Sequence, residues 1–394
     1  MSKVFIPVSN VGKAHDADIY SVKVLKGFTV TASGDGSLKF WSNKKIYQND
    51  FKTLKDDVHV EFVDATGLHH VDCLTVNDML GNDALTVNII STVSFNGIIH
   101  FYQFVNENLS TLKKIKLLNP EEIKIHSFWS SLWVNGNNDQ VVSDRLITSD
   151  IKGNTNIWKF ELYKDETKTE IEPHLTYQGE ISSNEPVVAT CVDASAKRGL
   201  IATGFANGTV VVSQLSTLRP LYTFESNSSS TVNSVRSLKF SPLGNLLAVS
   251  NDFGSFGSIT LYETEFGEKI GNLSIPTHSG QKLISGTTFA HNGWVFNLSF
   301  NSTGEFLATC GYDSKVRVWD IKLKERVSTL NLSANDIEIE DDIMLHDENG
   351  DSTKFPPIFD VKFINKGIIN DTNEGLCCVC MDRSIRWFRE AGGN

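Results

Sequence analysis

Basic residues are in deficit. The chain carries 36 Lys and Arg against 47 Asp and Glu over 394 residues, a net charge of −11. That sign argues against bulk binding to nucleic acid or an anionic membrane, where a Lys/Arg excess drives counterion release. Long apolar runs are missing too: no stretch of about 18 apolar residues offers a membrane span. The opening "MSKVFIPVSN" has no apolar h-region, so no signal peptide is expected. Cysteine is sparse, with Cys73, Cys191, Cys310, Cys377, Cys378 and Cys380 in no framework spacing, and reduced thiols of an intracellular protein are expected. Without secretion, Asn-x-Ser/Thr triplets such as Asn301-Ser302-Thr303 carry no meaning.

Catalytic signatures are absent as well. The sequence has no Gly-x-Ser-x-Gly elbow, no Walker phosphate loop, no Gly-x-Gly-x-x-Gly and no His-Glu-x-x-His. "CCVC" (Cys377–Cys380) could suggest a metal, but on a strand Cys378 and Cys380 face one side and Cys377 the other. No second Cys pair supplies the remaining zinc ligands. "HDENGD" (His346–Asp351) resembles the start of a calcium loop, yet Ser352 stands where Gly is needed and Ile358 where the bidentate Glu belongs. It reads as a solvated acidic loop. The pair His69-His70 opens a strand, and one of the two is expected in a structural loop-His role. The expectation is a protein that is not an enzyme and holds no cofactor or metal.

A repeat is what the sequence does have. "SGDGSLKFW" (Ser33–Trp41), "SFNGIIHFY" (Ser94–Tyr102), "DIKGNTNIW" (Asp150–Trp158), "FANGTVVVS" (Phe205–Ser213), "SFGSITLY" (Ser255–Tyr262), "YDSKVRVW" (Tyr312–Trp319) and "MDRSIRWF" (Met381–Phe388) share one design. Each is a tight Gly/Asp/Asn turn followed by period-two alternation, a hairpin signal. A second strand precedes each turn, as in "EFLATC" (305–310), and a third lies before that, as in "WVFNLSF" (294–300). The unit ends fall 49 to 69 residues apart, longer than a bare repeat of about 40–45. The excess is assigned to loops, including the acidic insertion Asn335–Pro357.

Two stretches, "AHDADIYSVKVLKGFTVTASGDGSLKFW" (Ala14–Trp41) and "AHNGWVFNLSFNSTGEFLATCGYDSKVRVWD" (Ala290–Asp320), resemble WD repeats. The resemblance implies four strands per blade and an all-β, seven-bladed WD-repeat propeller. It also implies a structural network of loop His, strand Ser/Thr, turn Asp and strand Trp. That network maps onto His15, Thr31, Asp35 and Trp41, and onto His291, Thr309, Asp313 and Trp319. Trp319-Asp320 is the one strict Trp-Asp pair. Lys152 stands in the Asp place of the third repeat, and Asn207 and Ser213 fill the Asp and Trp places of the fourth. Those two blades are expected to hold by packing alone. Repeats are placed at 14–54, 67–118, 126–179, 187–225, 232–275, 291–332 and 356–390, forming a single domain. After Phe388 only "REAGGN" remains, too short for a fourth strand. "KVFIPV" (Lys3–Val8) is expected to supply it and close the ring, Pro7 being tolerable on an outer edge.

Large side chains recur where solubility needs only polar ones. Trp129 and Trp294 are placed just before the first strand, with His70 and Pro357 as counterparts; Phe95, Tyr312 and Met381, with Arg383 beside it, are placed in the neighbouring turns. Aromatic anchors with an Arg nearby suggest an interaction hot spot on one rim.

"GLCCVCMDRSIRWFREAGG" (Gly375–Gly393), "GLIATGFANGTVVVSQLSTLRPLYTFES" (Gly199–Ser226), "SITLYETEFGEKIGNLSIPTH" (Ser258–His278) and "AHDADIYSV" (Ala14–Val22) resemble the WD-repeat family of the fungal superkiller (Ski) complex. The resemblance implies a non-catalytic scaffold that binds a tetratricopeptide-repeat protein and supports a DExH-box RNA helicase. It further implies service in cytoplasmic, exosome-mediated 3′-to-5′ mRNA decay, including non-stop decay. A nuclear role in meiotic recombination, through a topoisomerase-like protein, is also implied. The alternatives are a WD-repeat adaptor of another assembly and a direct RNA-binding propeller.

Overall fold

The computed structural model describes residues 2–46, 57–77, 85–136, 144–164, 171–183, 186–225, 233–275, 289–337, 354–369 and 371–392. Period-two alternation and turn residues produce seven four-stranded antiparallel sheets, the blades of a propeller. The sequence pattern follows each strand's depth. Second strands are buried on both faces, so Leu200–Phe205 and Gly375–Cys380 are buried throughout. Outer strands such as Asn108–Ile115 and Pro220–Phe224 face water and read as mostly polar or exposed. A propeller core is therefore distributed between blades, as separate apolar clusters.

Cys377 packs in the cluster that joins the last blade to the first, with Trp41, Trp387 and Val22. Cys378 and Cys380 pack on the opposite face, against Cys310 and Val318 of the sixth blade. Burial pushes the Cys310 and Cys377 thiols well above the ordinary range, and the Cys378 thiol is raised by its hydrogen bond with Cys380 as well as by burial.

The termini close the ring. Phe5–Val11 pairs antiparallel with Ile385–Glu390, Phe5 opposite Glu390 and Val11 opposite Ile385. This closing strand runs three residues further than Lys3–Val8, because a bulge between Pro7 and Ser9 lets pairing resume beyond the proline. Lys3 adds a backbone bond to Val327 O (3.1 Å) and an ion pair with Glu390 (2.8 Å).

At three junctions an aspartate reinforces the packing by accepting a backbone N–H of the next blade. Asp72 accepts from the Trp133 backbone N–H (2.7 Å), Asp193 from Phe240 (2.7 Å) and Asp360 from Val22 (2.9 Å). The last of these ties the seventh blade to the first.

Candidate rim interface

Among the described residues two blades carry a complete polar relay. His15 lies 2.8 Å from Asp35 through Nδ1 and 2.7 Å from Thr31 Oγ1 through Nε2, and Trp41 Nε1 donates to the same hydroxyl at 3.1 Å. His291, Asp313, Thr309 and Trp319 repeat this at 2.8, 2.8 and 3.0 Å. The Trp41 indole can only donate, so the Thr31 proton is free to reach His15 Nε2, which leaves the proton of a neutral imidazole on Nδ1, facing Asp35. At His291 the Arg317 guanidinium, which can only donate, also reaches Nδ1, at 2.7 Å. Burial lowers the pKa of both histidines. Burial alone would raise Asp35, but its bonds from His15 and from backbone N–H groups prevail and hold it at about 2.

The other blades depart from this relay in informative ways. In blade three, Asp150, two residues before Lys152, accepts from the backbone of Lys152 and Asn154 at 2.9 Å, with His126 3.8 Å away. That blade is therefore not held by packing alone. Its Thr148 hydroxyl and Trp158 Nε1, counterparts of Thr31 and Trp41, have no partner. In blade two neither His69 nor His70 takes the loop-His role. Asp64 stands in the loop instead, 3.3 Å from His100 on the third strand and accepting from Asn96 Nδ2 in the turn at 3.2 Å.

Every inner strand starts with a bulge at its second residue. The bulged residues are Tyr20, His69, Trp129, Thr190, Arg236, Phe296 and Phe359, and all seven line the axial channel. They build an arc of ring contacts around its mouth. Trp129 meets His69 at 4.6 Å, His69 meets Phe95 at 4.9 Å and Phe95 meets Tyr20 at 5.2 Å. Tyr20 meets Phe359 at 4.8 Å, and Phe359 meets Phe296 at 5.1 Å. The arc then passes through the Arg236 guanidinium, 6.0 Å from Phe296 and 4.7 Å from the Trp294 ring, to Tyr312. Arg236 is held by Asp252 at 2.8–3.1 Å, and the Trp294 indole donates to Gly254 O at 3.0 Å. Those supports fix both groups before any partner arrives.

Trp129 and Trp294 are consequently not equivalent: Trp294 precedes its strand, whereas Trp129 occupies the bulge. His70 is turned inward, its Nε2 2.6 Å from Ser131 O in the next blade, and His69 takes the place at the mouth. Pro357 is half-buried, its carbonyl accepting from Met381 N at 2.9 Å. Phe95, Tyr312, Met381, Trp294 and Trp129 are 36–57% exposed. Arg383 is exposed with φ 61°, a left-handed conformation unusual for a long side chain. Tyr20, His69, Arg236, Phe296 and Phe359 escaped the sequence reading because a bulge shifts the period-two phase by one residue.

Among the described residues no group of three or more His, Cys, Asp or Glu side chains is arranged to hold a metal. The acidic run His346–Asp351 lies outside the described residues.

Blade architecture and relay together define a WD-repeat propeller. The family described as "WD domain, G-beta repeat" matches residues 218–254 and 282–320. The chain is 51% identical over 407 aligned residues to the antiviral protein SKI8 of Saccharomyces cerevisiae, covering all of both chains. It belongs to the family of that protein, the Ski WD-repeat propellers. More distant similarity reaches WD repeat-containing protein 1 of Xenopus tropicalis, 31% over 98 residues, a quarter of this chain and 14% of that one. The corresponding Gallus gallus protein is 28% identical over 116 residues, 29% of this chain and 17% of that one.

Proposed function

We propose that this chain is a non-catalytic scaffold subunit of a Ski complex and that the aromatic arc is where it grips its partners. The partners are a tetratricopeptide-repeat protein and, through the assembly, a DExH RNA helicase that feeds mRNA to the exosome for 3′-to-5′ decay. The setting is the cytoplasm, with a second, nuclear use in meiotic double-strand break formation through a topoisomerase-like protein. The observation that carries this reading is the continuous ring arc with its pre-fixed Trp294 and Arg236, on a chain aligned end to end with SKI8. Such anchors release most of their binding energy when desolvated, because little side-chain freedom is left to lose. Affinity purification of the tagged protein from its native host tests it. Recovery of a helical-repeat protein and a helicase is expected, and a preparation lacking both contradicts the proposal.

A further inference from the structure

The channel beneath the rim has an electrostatic design that partner docking does not use. It is a cavity of about 630 Å³. Four consecutive blades, five, six, seven and one, place Lys239, Ser299, Lys362 and Lys23 in it at one depth. Each is the fourth residue after the one that opens its strand, opposite Ala248, Ala308, Cys377 and Val30 respectively. Asp72 and Asp193 hold the same position in blades two and four and flank this arc.

Each ammonium has a carboxylate: Lys23 pairs with Asp72, Lys239 with Asp193 at 2.7 Å and Lys362 with Asp360 at 2.7 Å. The pairs are not presented evenly. The lysine side chains are 32, 29 and 23% exposed, their aspartates only 8, 10 and 1%. The aspartates are set back in the walls because each also accepts the inter-blade N–H described above. An ammonium has three donors, and one hydrogen bond to its carboxylate leaves capacity for a ligand. From a distance the charges cancel. At contact, an anion in the lumen meets ammonium groups before carboxylates, and Coulomb energy falls with distance.

We propose that the axial channel is a binding site for a small oligophosphate anion, with phosphoryl oxygens spread over Lys239, Lys362 and Lys23. A compact, multiply charged oxyanion suits several point-charge donors on one arc, which lysine provides without a fixed fork. The phosphoryl chain can be free or carried by a nucleotide, and pyrophosphate and ADP distinguish these sources.

Isothermal titration at low salt, paired with thermal melting, tests the site. Wild-type protein is expected to bind pyrophosphate with a salt-sensitive affinity and to melt higher in its presence. Removing one whole pair, Lys239→Met with Asp193→Asn, leaves no unpaired charge and keeps an acceptor for the Phe240 N–H. It is expected to weaken binding by about tenfold or more. Lys23→Gln with Asp72→Asn repeats the test at the other end of the arc should the first variant fold poorly. Tyr312→Ala with Met381→Ala, two exposed rim residues outside the channel lining, is expected to bind pyrophosphate as wild type does, which keeps this test separate from partner docking. ADP binding alongside pyrophosphate assigns a nucleotide-borne chain, and pyrophosphate alone assigns a free one. Absence of heat and of any melting shift at millimolar ligand overturns the proposal, as does wild-type affinity in both pair-removal variants.

Discussion

Pro7 and Phe388 lie opposite each other on neighbouring strands, although the chain sets them near its two ends. The first strand therefore completes a blade whose other three strands come last. A propeller has no single core to hold it shut, so this pairing carries the load of the closed ring. Phe5 is buried against Cys378, Cys380 and Phe388. Phe5→Ala is expected to cost about 3–5 kcal/mol in chemical denaturation. Deleting residues 1–10 should lower the melting temperature further still, and a deletion that melts like wild type contradicts the closure.

Thr31 and Thr148 stand at equivalent points of two blades with opposite surroundings. The Thr31 hydroxyl joins His15 to Trp41, whereas that of Thr148 has no partner. Thr31→Val leaves an indole N–H and an imidazole nitrogen unpaired and is expected to cost about 1–3 kcal/mol. Thr148→Val removes only an unmet polar group, so no loss, or a gain, is expected. Urea denaturation of the pair of variants checks the contrast.

Much of this was legible in the sequence, and the illegible part has a physical cause. Turns and alternation mark the blades because second strands are buried on both faces and outer strands on one at most. The residues of the two complete relays could be named from the chain because they sit at fixed offsets from turns. Tyr20, Arg236, Phe296 and Phe359 could not, since they reach the channel mouth only through a bulge, and a bulge leaves no compositional mark. The lysine arc was hidden for a related reason: its members share a depth in space while lying some 120 to 340 residues apart in sequence or closing across the termini.

Acid should destabilise the protein earlier than carboxylate titration alone would. Burial lowers His15, His70, His100 and His291 below 6.5 and takes His69 to about 3. Between those folded values and 6.5 the unfolded chain binds more protons, so stability falls as pH falls. Melting temperature is expected to be nearly level above pH 6.5 and to decline below it. Asp35, held at about 2, adds a second loss below its ordinary value of 3.8. A melting temperature that rises from pH 7 to pH 5 contradicts this assignment.

Arg383 occupies a left-handed turn position where other blades use Gly36, Gly97, Gly153 and Gly208. Left-handed geometry costs a residue with a Cβ about 1–2 kcal/mol. Arg383→Gly is therefore expected to raise stability while weakening partner capture, measured by denaturation and by pull-down. Unchanged capture argues that the guanidinium does not touch the partner.

The scaffold reading rests on the rim, and one measurement addresses it most directly. Trp129→Ala with Trp294→Ala, expressed in the native host, is compared with wild type for recovery of the proposed helical-repeat partner and for melting temperature. Loss of more than about 2 kcal/mol of partner affinity, with melting nearly unchanged, is expected of two docking anchors. Full partner recovery by a folded double variant contradicts the rim as the docking surface.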